Sequence, residues 1–284
     1  MPTSEWPGVV VLLDGGLRSP EDPLLLVDDN GVVRGDGIFE TLVVRDGDPV
    51  GFRAHLDRMR RSAAYADLDL PDEQQWRDAV ATALAETPPG YDELMLRLIC
   101  TRGPAGGRPT AFVRTNPLAA STLVQRRDGV SVVLLDRGID AGRVAASPWL
   151  LGAAKTLSYA VAMAALREAE RRGADDVIYT DGDGRLLEAP TASVVVVGPG
   201  NRMRTPAAEG AILPSTTQHA LFDAAAAAGW ETSTEPLYAQ DLFDADAVWL
   251  VSSVRIAVAV TEVDGTVIKQ SVPVETAQEM LGLS

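Results

Sequence analysis

The chain has 284 residues, 46% of them hydrophobic, and its 25 basic and 40 acidic residues give a formal net charge of −15. This length suffices for two modest hydrophobic cores, while the acidic balance argues against nucleic acid or an anionic membrane as a partner. The single cysteine, Cys100, excludes an internal disulfide framework, and His55 and His219 are too far apart in sequence to predict a metal site.

The first seven residues, Met-Pro-Thr-Ser-Glu-Trp-Pro, contain neither a basic segment nor an apolar run. A secretory signal peptide requires both, so none is predicted. We therefore expect a soluble, cytoplasmic protein.

The first half of the chain alternates strand and helix patterns. An Asp-Gly pair at residues 46 and 47 predicts a tight hairpin turn, and prolines close the helical patterns that follow. The predicted elements are a hairpin over 37–52, helices over 53–67 and 72–86, and strands over 93–101 and 110–116. Residues 118–127 lose this periodicity and collect small and polar side chains, so they are predicted to be a linker.

Two domains follow from this pattern, a smaller N-terminal α/β domain over 1–117 and a larger domain over 128–284. The larger domain is expected to carry Lys155 between a strand over 130–136 and a helix over 158–172. A strand over 176–180 and the turn Asp-Gly-Asp-Gly at 181–184 predict a second hairpin, whose return strand spans 185–197. This hairpin would bring Glu188 back toward Lys155.

Lys155 and Glu188 are the most informative pair in the sequence. A lysine can form a Schiff base with an aldehyde cofactor, and a carboxylate can keep the pyridine nitrogen of that cofactor protonated. Lys155 lies in the largely apolar segment Pro-Trp-Leu-Leu-Gly-Ala-Ala-Lys. The pair therefore points to pyridoxal 5'-phosphate (PLP).

Two further segments could hold a phosphate. Pro-Ser-Thr-Thr at 214–217 opens an alanine-rich helix, whose free N–H groups suit an anion. Taken alone, an ordinary Ser/Thr helix cap explains these residues better than an anion site does. The strand around 248–251 ends in Ser252 and Ser253, which add hydroxyl groups.

Five motifs in order carry a resemblance to a known family. They are Arg-Gly-Asp-Gly-Ile-Phe-Glu-Thr (34–41), His-Leu-Asp-Arg (55–58), Ala-Lys-Thr-Leu-Ser (154–158), Glu-Ala-Pro-Thr-Ala-Ser (188–193) and Ile-Leu-Pro-Ser-Thr-Thr (212–217). Together they resemble the class IV aminotransferases, the fold type IV PLP enzymes, over about residues 24–264. The resemblance implies a two-domain α+β or α/β architecture like that of D-amino acid aminotransferase, with the cofactor at the domain junction and usually a homodimer.

The resemblance also implies roles for individual residues. Lys155 matches the Schiff-base lysine, which would also act as the general base, and Glu188 matches the carboxylate at the pyridine nitrogen. The remaining cofactor contacts that it implies are a phosphate-binding arginine, a leucine beneath the ring and three phosphate-binding hydroxyls: Arg58, Leu213, Thr216, Thr217 and Ser253. No metal is implied.

The substrate is suggested by arginines. The loop Thr-Arg-Gly-Pro-Ala-Gly-Gly-Arg at 101–108 is similar to an arginine- and glycine-rich loop of 4-amino-4-deoxychorismate lyases, and Arg102 and Arg108 would suit a dicarboxylate. However, Pro109 and Thr110 replace the Gly-Tyr that usually follows. Arg97 aligns with an arginine of branched-chain aminotransferases, and Arg34 stands where many members have an aromatic residue.

Three functions remain open on this basis. We expect a 4-amino-4-deoxychorismate lyase, which releases 4-aminobenzoate and pyruvate for folate precursor synthesis. The alternative is a transaminase of the D-amino acid or branched-chain type that uses 2-oxoglutarate or pyruvate. A binding protein that has lost its cofactor is a third reading, against which Lys155, Glu188 and Arg58 all argue because together they complete a site.

Overall fold

The structure is a computed structural model and describes residues 6–207 and 210–283. Residues 1–5, part of the segment used to argue against a signal peptide, lie outside the described residues. The chain forms two compact units. The first comprises residues 1–119 and 154–159, and the second comprises residues 120–153 and 160–284.

The first unit is built on one antiparallel sheet. Its elements are β1 (Val9–Leu12), β2 (Leu17–Arg18), α1 (Asn30–Arg34), β3 (Gly37–Arg45), β4 (Asp48–Pro49), α2 (Phe52–Tyr65), α3 (Glu73–Ala85), β5 (Glu93–Thr101) and β6 (Thr110–Pro117). The strand order is β2-β1-β6-β5-β3-β4. The predicted hairpin, both helices and both strands are confirmed, with shifts of one or two residues at several ends.

Alternation along the strands decides which face of this sheet is buried. Leu94, Leu96 and Leu98 on β5 pack with Leu42 on β3 and Trp76 on α3 in one core. The odd-numbered residues of β3 and β5 lie on the opposite face, because successive side chains of a strand point to opposite sides. This second face carries Phe39 and Arg97.

The second unit holds a larger mixed sheet. Its elements are α4 (Ala120–Asp128), β7 (Val130–Asp136), α5 (Ala141–Ala145), a 3-10 turn (Pro148–Leu150), α6 (Ala160–Arg171), β8 (Asp176–Thr180), β9 (Ser193–Gly198), β10 (Arg202–Pro206), α7 (Thr216–Ala227), β11 (Glu231–Glu235), α8 (Ala239–Phe243), β12 (Ala247–Ser252), β13 (Ile256–Val263), β14 (Thr266–Val267) and α9 (Glu275–Met280). The strand order is β11-β10-β9-β12-β13-β7-β8, and β14 pairs with β13. The central strands β9 and β12 are buried almost throughout.

The segment over 118–127 was predicted to be an irregular linker, but residues 120–128 form the helix α4. Its small and polar residues show no clear helical periodicity, so the sequence did not indicate a helix. The helix packs against β13, and the Arg126 Nη2 donates a hydrogen bond of 2.6 Å to the Val254 carbonyl. Tertiary contacts of this kind override weak local preference.

The structure also differs in the unit to which Lys155 belongs. The sequence placed it in the C-terminal domain, but residues 154–159 group with the first unit. The Lys155 carbonyl accepts a hydrogen bond of 3.1 Å from Phe39 N, and Leu157 N donates one of 2.8 Å to the Gly37 carbonyl. This backbone pairing with β3 was invisible in the sequence because its partners are more than 100 residues apart.

The predicted return strand over 185–197 is shorter than expected. The turn at 181–184 is present, and Leu187 N and Tyr179 O bond at 2.8 Å while Tyr179 N and Glu188 O bond at 3.0 Å. The regular strand β9 begins only at Ser193. Pro190 lies in the gap and cannot donate to a ladder.

Candidate active site

Three hydrogen bonds hold the main chain around Lys155 within the first unit. Besides the bonds of Lys155 and Leu157 to β3, Lys155 N donates a hydrogen bond of 3.0 Å to the Ser62 hydroxyl. Ser62 lies on α2 and is buried. Two glycines permit this approach: a Cβ on Gly37 would lie 2.7 Å from Leu157, and one on Gly35 would lie 2.9 Å from the Ser158 hydroxyl. The Arg-Gly-Asp-Gly motif is thus a requirement of close packing.

The Lys155 side chain is flanked by aromatic rings. Its Nζ lies 4.6 Å from the centre of the Phe39 ring and 5.8 Å from that of Tyr159, and it donates a hydrogen bond of 3.3 Å to the Tyr159 hydroxyl. The two rings meet edge to face at 5.2 Å. Tyr159 was missed in the sequence; its spacing of four residues from Lys155 was the available signal.

Arg58 is part of a buried ionic cluster on α2 and β3. Its Nε and Nη2 donate hydrogen bonds of 2.7 and 2.6 Å to the two oxygens of Glu40, and the His55 Nδ1 lies 2.7 Å from Glu40 Oε2. Glu40 is fully buried and Arg58 is 5% exposed. Glu40 and His55 therefore hold the predicted phosphate-binding arginine in one orientation.

The electrostatics of this cluster favour a charged pair. Burial alone would raise the pKa of Glu40, but the hydrogen bonds and charge of Arg58, followed by those of His55, lower it from 4.5 to about 2. Burial lowers the pKa of His55 below its usual 6.5, although Glu40 opposes this shift. Glu40 is thus an anion at neutral pH, and His55 is a neutral ring.

Glu188 lies in the second unit, in the irregular segment before β9. Its Oε2 accepts a hydrogen bond of 3.3 Å from Leu213 N, and its Oε1 accepts one of 3.3 Å from Arg137 Nη1. Arg137 Nη1 also donates to the Ala211 carbonyl at 2.9 Å. The structure thus brings Glu188 and Leu213 together. No sequence pattern singles out Arg137, because an arginine directly after a strand is usually an exposed surface residue.

The predicted phosphate residues also meet in the second unit. Ser215 caps α7, since its hydroxyl accepts a hydrogen bond of 3.1 Å from Gln218 N. Thr216 and Thr217 occupy the first turn of that helix, and the Thr217 and Ser253 hydroxyls are 3.3 Å apart. Hydroxyls from two elements thus converge at the N-terminus of a helix, where an anion is favoured.

A strained turn positions Ser253. Ile256, three residues later, has φ of 64°, a conformation that is unfavourable for a β-branched residue. The neighbouring Arg255 Nη1 donates a hydrogen bond of 2.6 Å to the buried Asp176, and its Nη2 donates one of 3.2 Å to the Thr191 hydroxyl. The ion pair ties the turn to β8, and the hydrogen bond to Thr191 ties it to the segment that follows Glu188.

The four predicted substrate arginines lie in the first unit, in different settings. Arg34 at the end of α1 and Arg108 in the β5–β6 loop are exposed. Arg102 is engaged by its own unit: it pairs with Asp36 at 2.6 Å and donates to the Asp67 and Ala66 carbonyls. Arg97 is half-buried on the sheet face that carries Phe39. Arg102 thus anchors the loop within its own unit.

The residues present fit PLP. A lysine amine is flanked by rings in one unit, while the other offers a carboxylate and a group of hydroxyls. The second unit also contains a cavity of about 320 Å³ whose lining includes Glu188, Leu213 and Ser215, a volume typical of small-ligand sites. Within residues 6–207 and 210–283, no cluster of side chains could hold a metal ion, and no helix has the length and apolar character needed to span a membrane.

Comparisons with known proteins show the family of this chain. The family model described as amino-transferase class IV matches residues 37–263. The chain is 47% identical over 268 residues to the bifunctional aminodeoxychorismate lyase / D-amino acid transaminase of Mycobacterium tuberculosis, an alignment that covers 90% of this chain and 92% of that protein.

Solved structures show the same likeness. A hypothetical aminotransferase from Mycobacterium tuberculosis, in its alpha-ketoglutarate and PMP bound form, has a TM-score of 0.92 at 45% identity, covering 97% of this chain and 98% of that one. A fold IV-transaminase from Curtobacterium pusillum has a TM-score of 0.88 at 39% identity, with coverage of 96% and 97%. The chain therefore belongs to the class IV aminotransferase family, has its two-domain fold type IV architecture, and is a PLP-dependent enzyme.

Proposed function

We propose that this class IV enzyme is a 4-amino-4-deoxychorismate lyase, which releases 4-aminobenzoate and pyruvate and serves folate precursor synthesis. The observation that carries this proposal is the likeness to the bifunctional Mycobacterium tuberculosis enzyme over 90% of the chain. D-amino acid transamination is the second candidate, because the same relative carries both activities in its name.

In this proposal the cofactor is held by Lys155, Glu188 and the residues at the start of α7. When bound, PLP supplies an electron sink for the carbon that carries the substrate amine. Glu188, oriented by Arg137 and Leu213 N, keeps a proton on the pyridine nitrogen. Thr216, Thr217 and Ser253 would bind the phosphate together with Arg58, and Leu213 would contact the ring.

Lys155 then serves as the general base. Its Nζ takes the proton from the amine-bearing carbon of the substrate. The Tyr159 hydroxyl, 3.3 Å from this Nζ, orients the lysine amine. Phe39 shields the amine from water on one side. In the lyase reaction the departing enolpyruvyl group would take up this proton from Lys155 to become pyruvate, and the ring left behind would be the aromatic 4-aminobenzoate. In transamination a keto acid would instead accept the amino group of the substrate.

Arginines select the substrate in this scheme. Arg34, Arg97 and Arg108 bind its carboxylates, since guanidinium groups form paired hydrogen bonds with carboxylate oxygens. Arg102 contributes by holding the loop through Asp36. A homodimer and a cytoplasmic location, both expected from the sequence, stay predictions.

A paired turnover assay tests the proposal. The PLP-loaded protein is given 4-amino-4-deoxychorismate alone and, separately, a panel of D- and L-amino acids with 2-oxoglutarate or pyruvate. Release of 4-aminobenzoate and pyruvate without a keto-acid acceptor supports the lyase. Turnover only with an amino acid and an acceptor removes the lyase, and the preferred amino acid then identifies the type of transaminase.

A spectroscopic control separates both enzymes from a binding protein. The loaded wild type should absorb in the visible range and be bleached by borohydride, and Lys155→Ala should lose this covalent signal. Ser158→Ala, which alters a hydroxyl bonded to the Gly35 carbonyl at 3.1 Å, should retain it. A wild type that takes up no cofactor would refute every enzymatic reading.

A further inference from the structure

Two arginines lie side by side on one face of the first unit's sheet. Arg97 on β5 is directly opposite Arg114 on β6, and the row continues to Thr41 on β3. Opposite residues of antiparallel strands have Cβ atoms about 5 Å apart. Their neighbours Leu98 and Val113 belong to the core on the other face. The two guanidinium groups therefore share the face opposite that core.

Neither arginine has a protein partner among residues 6–207 and 210–283. The Nε atom of each is buried and makes no hydrogen bond within those residues. Burial lowers the pKa of Arg97, and the charge of Arg114 lowers it further. Two half-buried cations that repel each other are unfavourable unless an anion binds between them.

Nearby carboxylates of the unit already serve other arginines. Glu40 pairs with Arg58, Glu93 with Arg45 at 3.0 Å, and Asp36 with Arg102. The arginine pair thus keeps its positive charge in a protein whose formal net charge is −15. An anion for this position must come from outside these paired groups.

The pair lies next to the reactive lysine within the same unit. Phe39, two residues from Thr41 along β3 and on the same face, carries the ring beneath Lys155 Nζ at 4.6 Å. Tyr159 accepts a hydrogen bond of 3.3 Å from the amine, and its ring meets that of Phe39 edge to face at 5.2 Å. Phe39 therefore connects the amine to the sheet face that carries the arginine pair.

We propose that Arg97 and Arg114 together bind one carboxylate of the substrate, a carboxylate that monocarboxylic analogues lack, and so select dicarboxylates. Arg114 is the new element, because its guanidinium doubles the charge and the number of donors offered by Arg97. The planar forks of two arginines can each donate two parallel hydrogen bonds to a carboxylate. This inference rests on the proposed function, since it specifies the substrate class of the same site.

Binding of unreactive acids tests the pair without turnover. Isothermal titration of the PLP-loaded protein compares glutarate, a five-carbon dicarboxylate, with pentanoate, its monocarboxylate counterpart. The wild type should bind glutarate at least about tenfold more tightly. Arg114→Leu should weaken glutarate binding by about tenfold or more and leave pentanoate within about twofold. Arg53→Leu, which removes one charge from an exposed position of α2, should change neither.

Either of two results would overturn the inference: unchanged glutarate affinity in Arg114→Leu, or an equal loss for both acids. If Arg114→Leu fails to fold, as judged by circular dichroism, Arg114→Lys replaces it. Lysine keeps the charge but loses the fork, so a selective loss for glutarate is expected, and wild-type affinity would count against the pair. A wild type that selects glutarate but releases no pyruvate from 4-amino-4-deoxychorismate removes the lyase proposal and leaves this one standing.

Discussion

Replacing Glu40 with glutamine should strongly destabilise the first unit. The substitution preserves side-chain volume but removes the anion that pairs with Arg58 at 2.6 Å and contacts His55 at 2.7 Å. Arg58, only 5% exposed, would remain as a buried charge without this carboxylate. Removing one partner of a buried ion pair typically costs about 3–5 kcal/mol.

The lowered pKa of Glu40 gives an independent value for this loss of stability. Its pKa falls from 4.5 to about 2 in the folded protein, and each pH unit of difference corresponds to about 1.4 kcal/mol. The charged form thus contributes about 3 kcal/mol. Because the folded pKa is the lower one, this contribution is fully present above pH 4.5 and is lost as the pH falls toward 2.

Urea unfolding of the protein at neutral pH, without added PLP, measures the effect. The matched control is Glu73→Gln: Glu73 also has a pKa lowered to about 2, by hydrogen bonds from Arg60 and then Arg77, but its ion pairs are exposed to solvent. Solvent screens such pairs, so the control should lose far less stability. A loss below about 1 kcal/mol in Glu40→Gln, or equal losses in the two variants, would refute the reasoning.

Three further predictions concern pH, packing and substrate. Burial lowers the pKa of folded His55 below 6.5, so the neutral ring contributes stability above pH 6.5, and this contribution is lost as the pH falls. The variant His55→Gln should therefore show a smaller drop in unfolding free energy between about pH 7 and 5.5 than the wild type does. An unchanged drop would contradict this prediction. In Gly37→Ala the new Cβ would lie 2.7 Å from Leu157, so the unfolding free energy should fall by about 1–3 kcal/mol. The control Gly182→Ala, whose Cβ would have no atom within 4 Å, should have little effect. Similar losses in the two variants would show that close packing does not require Gly37. Arg108→Ala should raise KM for a dicarboxylate substrate more than it weakens PLP binding, and unchanged kinetics would exclude Arg108 from the site.

The sequence by itself determined the elements whose signals are local. The strands over 93–101, 130–136 and 176–180 were predicted with their observed bounds, because hydrophobic runs and turn residues set them over a few neighbouring positions. Asp72 likewise marked the start of α3, where it forms a capping box with Gln75. The family and its cofactor were also predictable, since five motifs in order are far more specific than any one residue.

Tertiary structure alone decided which residues surround the reactive groups. Pairing of residues 154–159 with β3 placed Lys155 beside Phe39, and packing on β13 accompanies a helix in the segment predicted as a linker. Only the strand register, which sets Arg114 opposite Arg97, indicates a role for Arg114. These contacts join positions far apart in the chain. They form because the whole unit packs together, so local sequence patterns could not predict them.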